Sequence, residues 1–130
     1  MVIDTSAVFA IVLGEAERNA FSIAIKVARR RLISVASAVE CVALFAGRQP
    51  DSDAMAAMNR FVDEFALEVA AMDAAQSRAA AEALVRFGKG RHPARLNLGD
   101  SFAYGLAKVT GEPLLFKGDD FALTDIARAV

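Results

Sequence analysis

Cysteine, histidine and long apolar runs are scarce in this 130-residue chain, and each scarcity excludes a class of protein. The single cysteine, Cys41, excludes an internal disulfide, and together with the single histidine, His92, it excludes a zinc site of the usual cysteine and histidine kind. No uncharged apolar run reaches the roughly 18 residues that a membrane span needs. Residues 1–4 lack the basic and apolar regions of a secretory signal. The sequence therefore predicts a cytoplasmic protein without membrane attachment.

A strong net charge is also missing, because 15 basic side chains face 16 acidic ones and the net charge is −1. The overall charge gives no sign of nucleic-acid binding, but its distribution is uneven. Between Glu82 and Asp100 the chain has no acid, and the basic residues Lys89, Arg91 and Arg95 fall within this stretch. Such a patch can hold a phosphate backbone even on a near-neutral protein, although charge alone favours a solvated surface.

The chain is rich in apolar residues, which make up 55% of it, so it can bury a sizeable core. Short apolar segments, predicted as strands, alternate with longer segments predicted as helices. The strands are predicted at 1–3, 32–35, 68–72 and 113–117, and the helices at 5–13, 15–29, 37–47, 53–65, 73–87 and 100–111. This alternation predicts an α/β domain whose parallel sheet is covered by helices on both faces.

The remaining segments are predicted as connections. Residues 50–53 have the composition of a turn and a helix cap, and 88–93 form a flexible basic loop. The tail, residues 122–130, is predicted to be weakly structured, with Asp125 as a possible cap of a last turn.

Isolated acids follow the predicted strands or begin the helices after them. Asp4 ends the first strand, Glu40 lies early in the helix after the second strand, Asp100 begins a later helix, and Asp119 and Asp120 follow the last strand. Because ligands of parallel sheets bind outside the carboxyl ends of the strands, we expect these acids to reach one edge. Crowded carboxylates repel one another unless a cation neutralises them, and Mg²⁺ or Mn²⁺ suits oxygen ligands.

Each acid also has a simpler structural interpretation. Asp4 could help to cap the first helix, for which Thr5 and Ser6 are good N-cap residues. Ser37 and Glu40 match the S-x-x-E capping box. Asp100 could accept hydrogen bonds from the free N–H groups of its own first turn, and the acids at 119–120 suit a turn after a glycine.

Five segments carry a resemblance to a known family, in that family's order along the chain. They are MVIDTSA (1–7), SAVE (37–40), RFGKGRHPA (86–94), LNLGDSFAY (96–104) and LLFKGDDF (114–121). The chain resembles PIN-domain ribonucleases, specifically the VapC toxins of bacterial toxin–antitoxin pairs, and the resemblance covers essentially its entire length. It implies a three-layer α/β/α sandwich with a short-stranded parallel sheet, and residues 1–130 forming a single PIN domain.

The resemblance implies a Mg²⁺-dependent endoribonuclease that hydrolyses RNA phosphodiesters with a metal-activated water, Mn²⁺ being a possible substitute. Asp4 and Asp100 match the acids that bind the metal, and Glu40 matches the third catalytic acid. Asp119 or Asp120 matches the fourth, with Asp119 slightly favoured.

The same resemblance suggests supporting residues and partners. Thr5 or Ser6 would supply a contact near the metal. The basic residues Lys89, Arg91 and Arg95 are expected to hold RNA phosphates because of their charge and their position just before Asp100, apart from the resemblance. A VapB-like antitoxin and a second copy of the chain, forming a homodimer, are the expected partners.

Two other functions are compatible with parts of the sequence. An aspartate-based phosphatase would use Asp4 as its nucleophile, but such enzymes carry a second acid two residues later, where this chain has Ser6. A non-catalytic binding module would use its acids as helix caps and hold its partner in an apolar groove.

Overall fold

Short parallel strands form the centre of the fold. The computed structural model describes residues 1–48 and 53–130, and all statements about structure below refer to these residues. The strands are β1 (Val2–Ile3), β2 (Leu32–Ser34), β3 (Glu68–Ala70) and β4 (Leu114–Leu115). They pair in parallel in the order β3-β2-β1-β4. Each predicted strand is present, although each is shorter than predicted.

Helices connect the strands. They are α1 (Thr5–Val12), α2 (Arg18–Val27), α3 (Val35–Arg48), α4 (Ala54–Phe65), α5 (Ala74–Phe87) and α6 (Leu98–Thr110), and a single 3₁₀ turn follows at Phe121–Leu123. In the described part of the chain, no helix is both long enough and apolar enough to cross a membrane.

Apolar cores lie on both faces of the sheet, because neighbouring side chains of a strand point to opposite faces. Ile3, Ile33 and Leu115 pack into a core with side chains of α1 to α4, whereas Val2, Leu32 and Leu114 pack into a second core with side chains of α5 and α6. The predicted α/β fold, a three-layer α/β/α sandwich, is therefore confirmed.

The helix starts agree only in part with the sequence prediction. Asp4 itself caps α1, in place of Thr5 or Ser6, and its side chain accepts a hydrogen bond from the Ser6 N–H. The second helix begins at Arg18, three residues later than expected. Asp53 caps α4 as predicted, whereas the rest of the predicted turn, residues 50–52, lies outside the described residues.

The alternative interpretation of Ser37 and Glu40 as a capping box is wrong. The helix begins at Val35, directly after β2, so Ser37 and Glu40 both lie inside it. The Ser37 hydroxyl is buried without a hydrogen-bond partner among the described residues. The Glu40 carboxylate instead accepts a hydrogen bond from Thr5, as described below.

The C-terminal tail is better ordered than predicted. The Leu114 N–H donates to the Ala127 carbonyl, and the Ala129 N–H donates to the Leu114 carbonyl, both at 2.9 Å. Asp125 does not act as a cap; it accepts a hydrogen bond from the Tyr104 hydroxyl at 2.6 Å. These contacts hold the tail beside β4, where backbone pairing extends the sheet edge.

Candidate active site

The candidate site lies at the carboxyl ends of β1 and β4. The chain leaves β1 towards β2 on one side, while β4 pairs with the opposite side of β1. A parallel sheet opens a crevice where its strand order reverses in this way. Asp4 follows β1 directly at this point, and its N–H donates to the Leu115 carbonyl of β4 at 3.0 Å.

Asp4 is buried, with 4% of its surface exposed. Its Oδ2 atom accepts hydrogen bonds from the Ser6 N–H at 2.9 Å and from the Ser6 hydroxyl at 2.5 Å. The Ser6 Oγ atom in turn accepts from the Lys117 N–H at 2.9 Å, which ties the end of β1 to the segment after β4. Burial raises the pKa of Asp4 and the Glu40 charge adds to this, while the Ser6 hydrogen bonds oppose it.

Glu40 reaches the same edge from the second turn of α3. Its Oε2 atom accepts a hydrogen bond from the Thr5 hydroxyl at 2.7 Å. Its carboxylate also lies against Gly99 in the first turn of α6. The side chain therefore spans from the start of α1 to the start of α6.

Asp100 is the third residue of α6 and forms a capping box with Asn97. Its Oδ2 atom accepts from the Asn97 N–H at 2.7 Å, and the Asn97 Oδ1 atom accepts from the Asp100 N–H at 3.0 Å. Burial raises the pKa of Asp100 to about 6, and the charges of Asp4, Asp120 and Glu40 contribute, whereas the Asn97 N–H opposes the rise. The capping role and the electrostatic coupling to the other acids therefore coexist.

The two acids after β4 are both exposed and follow Gly118, whose φ of +98° fits the predicted turn. Asp120 is among the charges that raise the pKa of Asp100; Asp119 is not. The preference for Asp119 as the fourth catalytic acid stays a prediction, and the electrostatics point to Asp120.

The donor set suits a hard divalent cation. Asp4, Glu40 and Asp100 are held by hydrogen bonds from neutral groups, and no ion pair within 1–48 and 53–130 joins them to a basic side chain. Within these ranges, no group of three or more His, Cys, Asp or Glu side chains is arranged so that all of them could hold one metal ion. Mg²⁺ is commonly bound through one or two carboxylates and keeps several waters, so Asp4 and Asp100 fit this role.

The predicted basic loop follows α5 and lies before α6. It is closed by backbone hydrogen bonds between its ends, since the Lys89 N–H donates to the Leu96 carbonyl and the Leu96 N–H to the Phe87 carbonyl. Lys89, Arg91 and Arg95 are exposed around an open depression of about 480 Å³. Within the described structure, none of these three pairs with an acid.

Sequence reasoning missed two contributors to the site. The first is Asn97, although the N-x-x-D spacing to Asp100 is a recognisable capping pattern. The second is Gly99, for which the sequence holds no signal, because its neighbour Glu40 comes from a distant helix.

The chain is similar to known proteins over nearly its whole length. Residues 1–127 match the family model described as PIN domain. The chain is 44% identical to Ribonuclease VapC42 of Mycobacterium tuberculosis, over 99% of this chain and 98% of that protein. It is 42% identical to Ribonuclease VapC30 of the same organism, over 98% and 96%.

A solved structure gives an independent comparison of the fold. The crystal structure of Mycobacterium tuberculosis VapC20, described as a sarcin-ricin loop cleaving toxin, aligns with a TM-score of 0.74. The alignment covers 97% of this chain and 95% of that chain at 18% identity, so the likeness concerns the fold.

Proposed function

The chain belongs to the PIN-domain family, among the relatives of the VapC ribonucleases, and we infer from this that it is a metal-dependent endoribonuclease. We further propose that residues 1–130 form one PIN domain and that it acts in the cytoplasm as the toxin of a toxin–antitoxin pair. The observation that carries the proposal is the meeting of Asp4, Glu40 and Asp100 at one sheet edge, where the Glu40 charge raises the pKa values of Asp4 and Asp100 and the Asp4 charge raises that of Asp100.

Each acid has a distinct proposed role. Asp4 and Asp100 would hold Mg²⁺ or Mn²⁺, which when bound stabilises negative charge on the phosphate and makes water more acidic. Glu40 would orient the attacking water and accept its proton, held in place by the Thr5 hydroxyl. Asp120, or Asp119 beside it, would complete the acidic edge. Ser6 would fix the orientation of Asp4.

The exposed cations of the loop before α6 would bind the RNA backbone. Lys89, Arg91 and Arg95 precede Asp100 in sequence and have no acidic partner within the described residues. Phosphate contacts of this kind give affinity and register without reading the bases. Sequence preference must therefore come from other contacts.

The test is incubation of the purified protein with total RNA in Mg²⁺, in EDTA and as the Asp4→Asn variant. We expect discrete products in Mg²⁺ that are lost in EDTA and in the variant. A matched control is Asp63→Asn, which changes an exposed aspartate of α4 in the same way. Equal cleavage by parent and Asp4→Asn, or in EDTA, would contradict the proposal. Hydrolysis of nitrophenyl phosphate without RNA cleavage would favour a phosphatase.

A groove among α1, α3 and α4 is proposed to bind the VapB-like antitoxin. Val12 and Leu13 are exposed there beside Phe9, and Arg48 and Arg60 lie on its rim. Among the described residues, the charged side chains that line the groove are these two arginines. Their positive charge disfavours a second copy of the same groove and suits an apolar segment with acidic flanks. We expect Arg60→Glu to weaken antitoxin binding in calorimetry without changing RNA cleavage; unchanged affinity would argue against this groove.

A second apolar surface, lined by Val35, Val39, Met55 and Val69 between α3 and α4, is proposed to form the homodimer. Val39 is 65% exposed, and the surface carries no charged side chain among the described residues. An uncharged patch can pack against its own copy across a two-fold axis. In sedimentation, Val39→Glu should shift the protein to monomer, and a parent that is already monomeric would contradict the proposal.

A further inference from the structure

Gly99 occupies a position where the backbone does not require glycine. It is the second residue of α6, and its φ is not in the left-handed region. Alanine is favoured over glycine inside a helix by about 1 kcal/mol. The backbone therefore gives no reason for glycine at this position, and the reason must lie in what surrounds it.

The space beside Gly99 is filled by the carboxylate of Glu40. A Cβ atom at residue 99 would lie 2.4 Å from Oε1, 2.8 Å from Oε2 and 2.9 Å from Cδ of Glu40. These distances are well inside van der Waals contact, so any side chain at this position would push the carboxylate away. Because Glu40 is flexible at its end, the carboxylate would move and the helix would remain.

The Glu40 carboxylate is thus held from two sides. Thr5 donates a hydrogen bond to Oε2, and the bare backbone of Gly99 lets the carboxylate lie against the first turn of α6. Free N–H groups give the start of a helix a partial positive charge, which favours an anion there. This position also brings Glu40 close enough to Asp100 for its charge to raise the pKa of that residue.

We propose that Gly99 is a positioning residue, which by lacking a side chain seats the Glu40 carboxylate against α6 beside Asp100. The consequence for catalysis depends on the proposed ribonuclease function, whereas the consequence for the position of Glu40 does not. A displacement of a catalytic group by about 1 Å can cost as much as about 100-fold in rate. Gly99→Ala should therefore slow RNA cleavage while the protein stays folded.

Two other helical glycines allow a comparison, and one of them gives the control. Gly47 in α3 faces open space, with no described atom within 4 Å of where a Cβ would lie, so Gly47→Ala is a matched substitution that moves nothing. Gly105 faces α5, where a Cβ would lie 2.6 Å from the Gln76 carbonyl, so it is a packing glycine. Gly99 differs from both because its neighbour is a functional carboxylate.

The experiment compares Gly99→Ala with Gly47→Ala by thermal unfolding and by the initial rate of cleavage of total RNA in Mg²⁺. Both variants should melt within a few degrees of the parent. Gly99→Ala should cleave RNA about 10- to 100-fold more slowly, and Gly47→Ala at the parental rate. Equal rates for the two variants would overturn the proposal.

Glu40→Asp supplies the test of mechanism, because its shorter side chain leaves room for a methyl group at residue 99. Adding Gly99→Ala to the Glu40→Asp variant should change the cleavage rate less than about twofold. The same substitution in the parent, which keeps Glu40, should cause the larger loss given above. The same large loss in both backgrounds would overturn the proposal.

A readout that does not need RNA cleavage keeps the proposal separate from the function. In protein labelled with ¹³C, the Glu40 carboxyl resonance should move in Gly99→Ala and stay in place in Gly47→Ala. If the parent cleaves no RNA, the ribonuclease function fails while this shift still supports the positioning role. An unmoved Glu40 resonance in Gly99→Ala overturns it.

Discussion

The charge of Asp100 should destabilise the folded protein when no cation is present. Burial and the charges of Asp4, Asp120 and Glu40 raise the pKa of Asp100 from 3.8 to about 6. The substitution Asp100→Asn removes the charge but keeps an oxygen that can accept the Asn97 N–H. We therefore expect Asp100→Asn to be more stable than the parent at neutral pH in EDTA, although it should be inactive.

The magnitude and its pH dependence follow from the raised pKa. Between pH 3.8 and about 6 the folded state keeps a proton that the unfolded state has lost, so the parent loses stability as the pH rises through this window. At about 1.36 kcal/mol per tenfold change, the full loss is about 3 kcal/mol. Since Asp100 is only part-buried, solvent screening reduces it to about 1–2 kcal/mol. About a third of that loss is present at pH 4.5.

The assay is urea unfolding in EDTA at pH 7.5 and pH 4.5. The gain of Asp100→Asn over the parent should be about 1–2 kcal/mol at pH 7.5 and clearly smaller at pH 4.5. Glu82→Gln is the control, because it makes the same change on an exposed residue of α5. Mg²⁺ should reduce the difference in the free energy of unfolding between Asp100→Asn and the parent at pH 7.5, since a bound cation stabilises only the parent. A variant that is less stable than the parent at pH 7.5, or a gain equal at both pH values, would refute the reasoning.

Three further predictions concern the packing and the basic loop that is proposed to bind RNA. Tyr104→Phe removes the hydrogen bond to Asp125 and should lower the free energy of unfolding by about 1–2 kcal/mol at pH 7. The Tyr104 hydroxyl contributes most, ahead of Lys108 and Arg86, to lowering the pKa of Asp125 to about 2, so the penalty of Tyr104→Phe should shrink as the pH falls from about 4 through 2; a penalty that is constant with pH would argue against it. Gly105→Ala should cost about 1–3 kcal/mol in urea unfolding, since its Cβ would meet the Gln76 carbonyl at 2.6 Å, and an unchanged midpoint would show that α5 can move. Lys89→Gln should weaken RNA binding in fluorescence anisotropy and reduce the slope of log K against log salt by about 0.7, whereas an unchanged slope would place the RNA elsewhere.

The sheet and the meeting of the acids could be predicted because both follow from element order. Val2 and Ile3 are buried on opposite faces, and such doubly buried strands appear in sequence as short continuous apolar runs. Once parallel strands alternate with helices, Asp4 must lie at the carboxyl edge of the sheet. Asp100 lies in the first turn of α6, the helix that precedes β4, so the same topology places it near that edge. This prediction does not depend on knowing any individual side-chain contact.

The partners of individual side chains could not be predicted, because they come from distant parts of the chain. Glu40 satisfies the local rule for a capping box, yet its hydrogen-bond donor is Thr5, 35 residues away. Asp125 is a residue type that often caps helices, but it accepts a hydrogen bond from Tyr104, 21 residues earlier, and so helps to anchor the tail. A local pattern shows that a residue can make a contact and does not exclude a stronger tertiary partner.

The side chain of Lys117 points away from the acidic edge and leaves the cation position there free of this lysine. The N–H of this lysine donates to Ser6, so its backbone lies beside Asp4, but its ammonium group pairs with Glu15 at 2.8 Å and with Glu17 at 3.1 Å. A lysine that turned towards Asp4 would lower the pKa of that carboxyl and occupy the place of a cation. Because the ammonium is held by other acids, the repulsion among the site carboxylates stays unrelieved within the described structure. That repulsion is a cost to folding that a bound divalent cation would offset. Removing one of these charges should therefore stabilise the metal-free protein and weaken its metal binding.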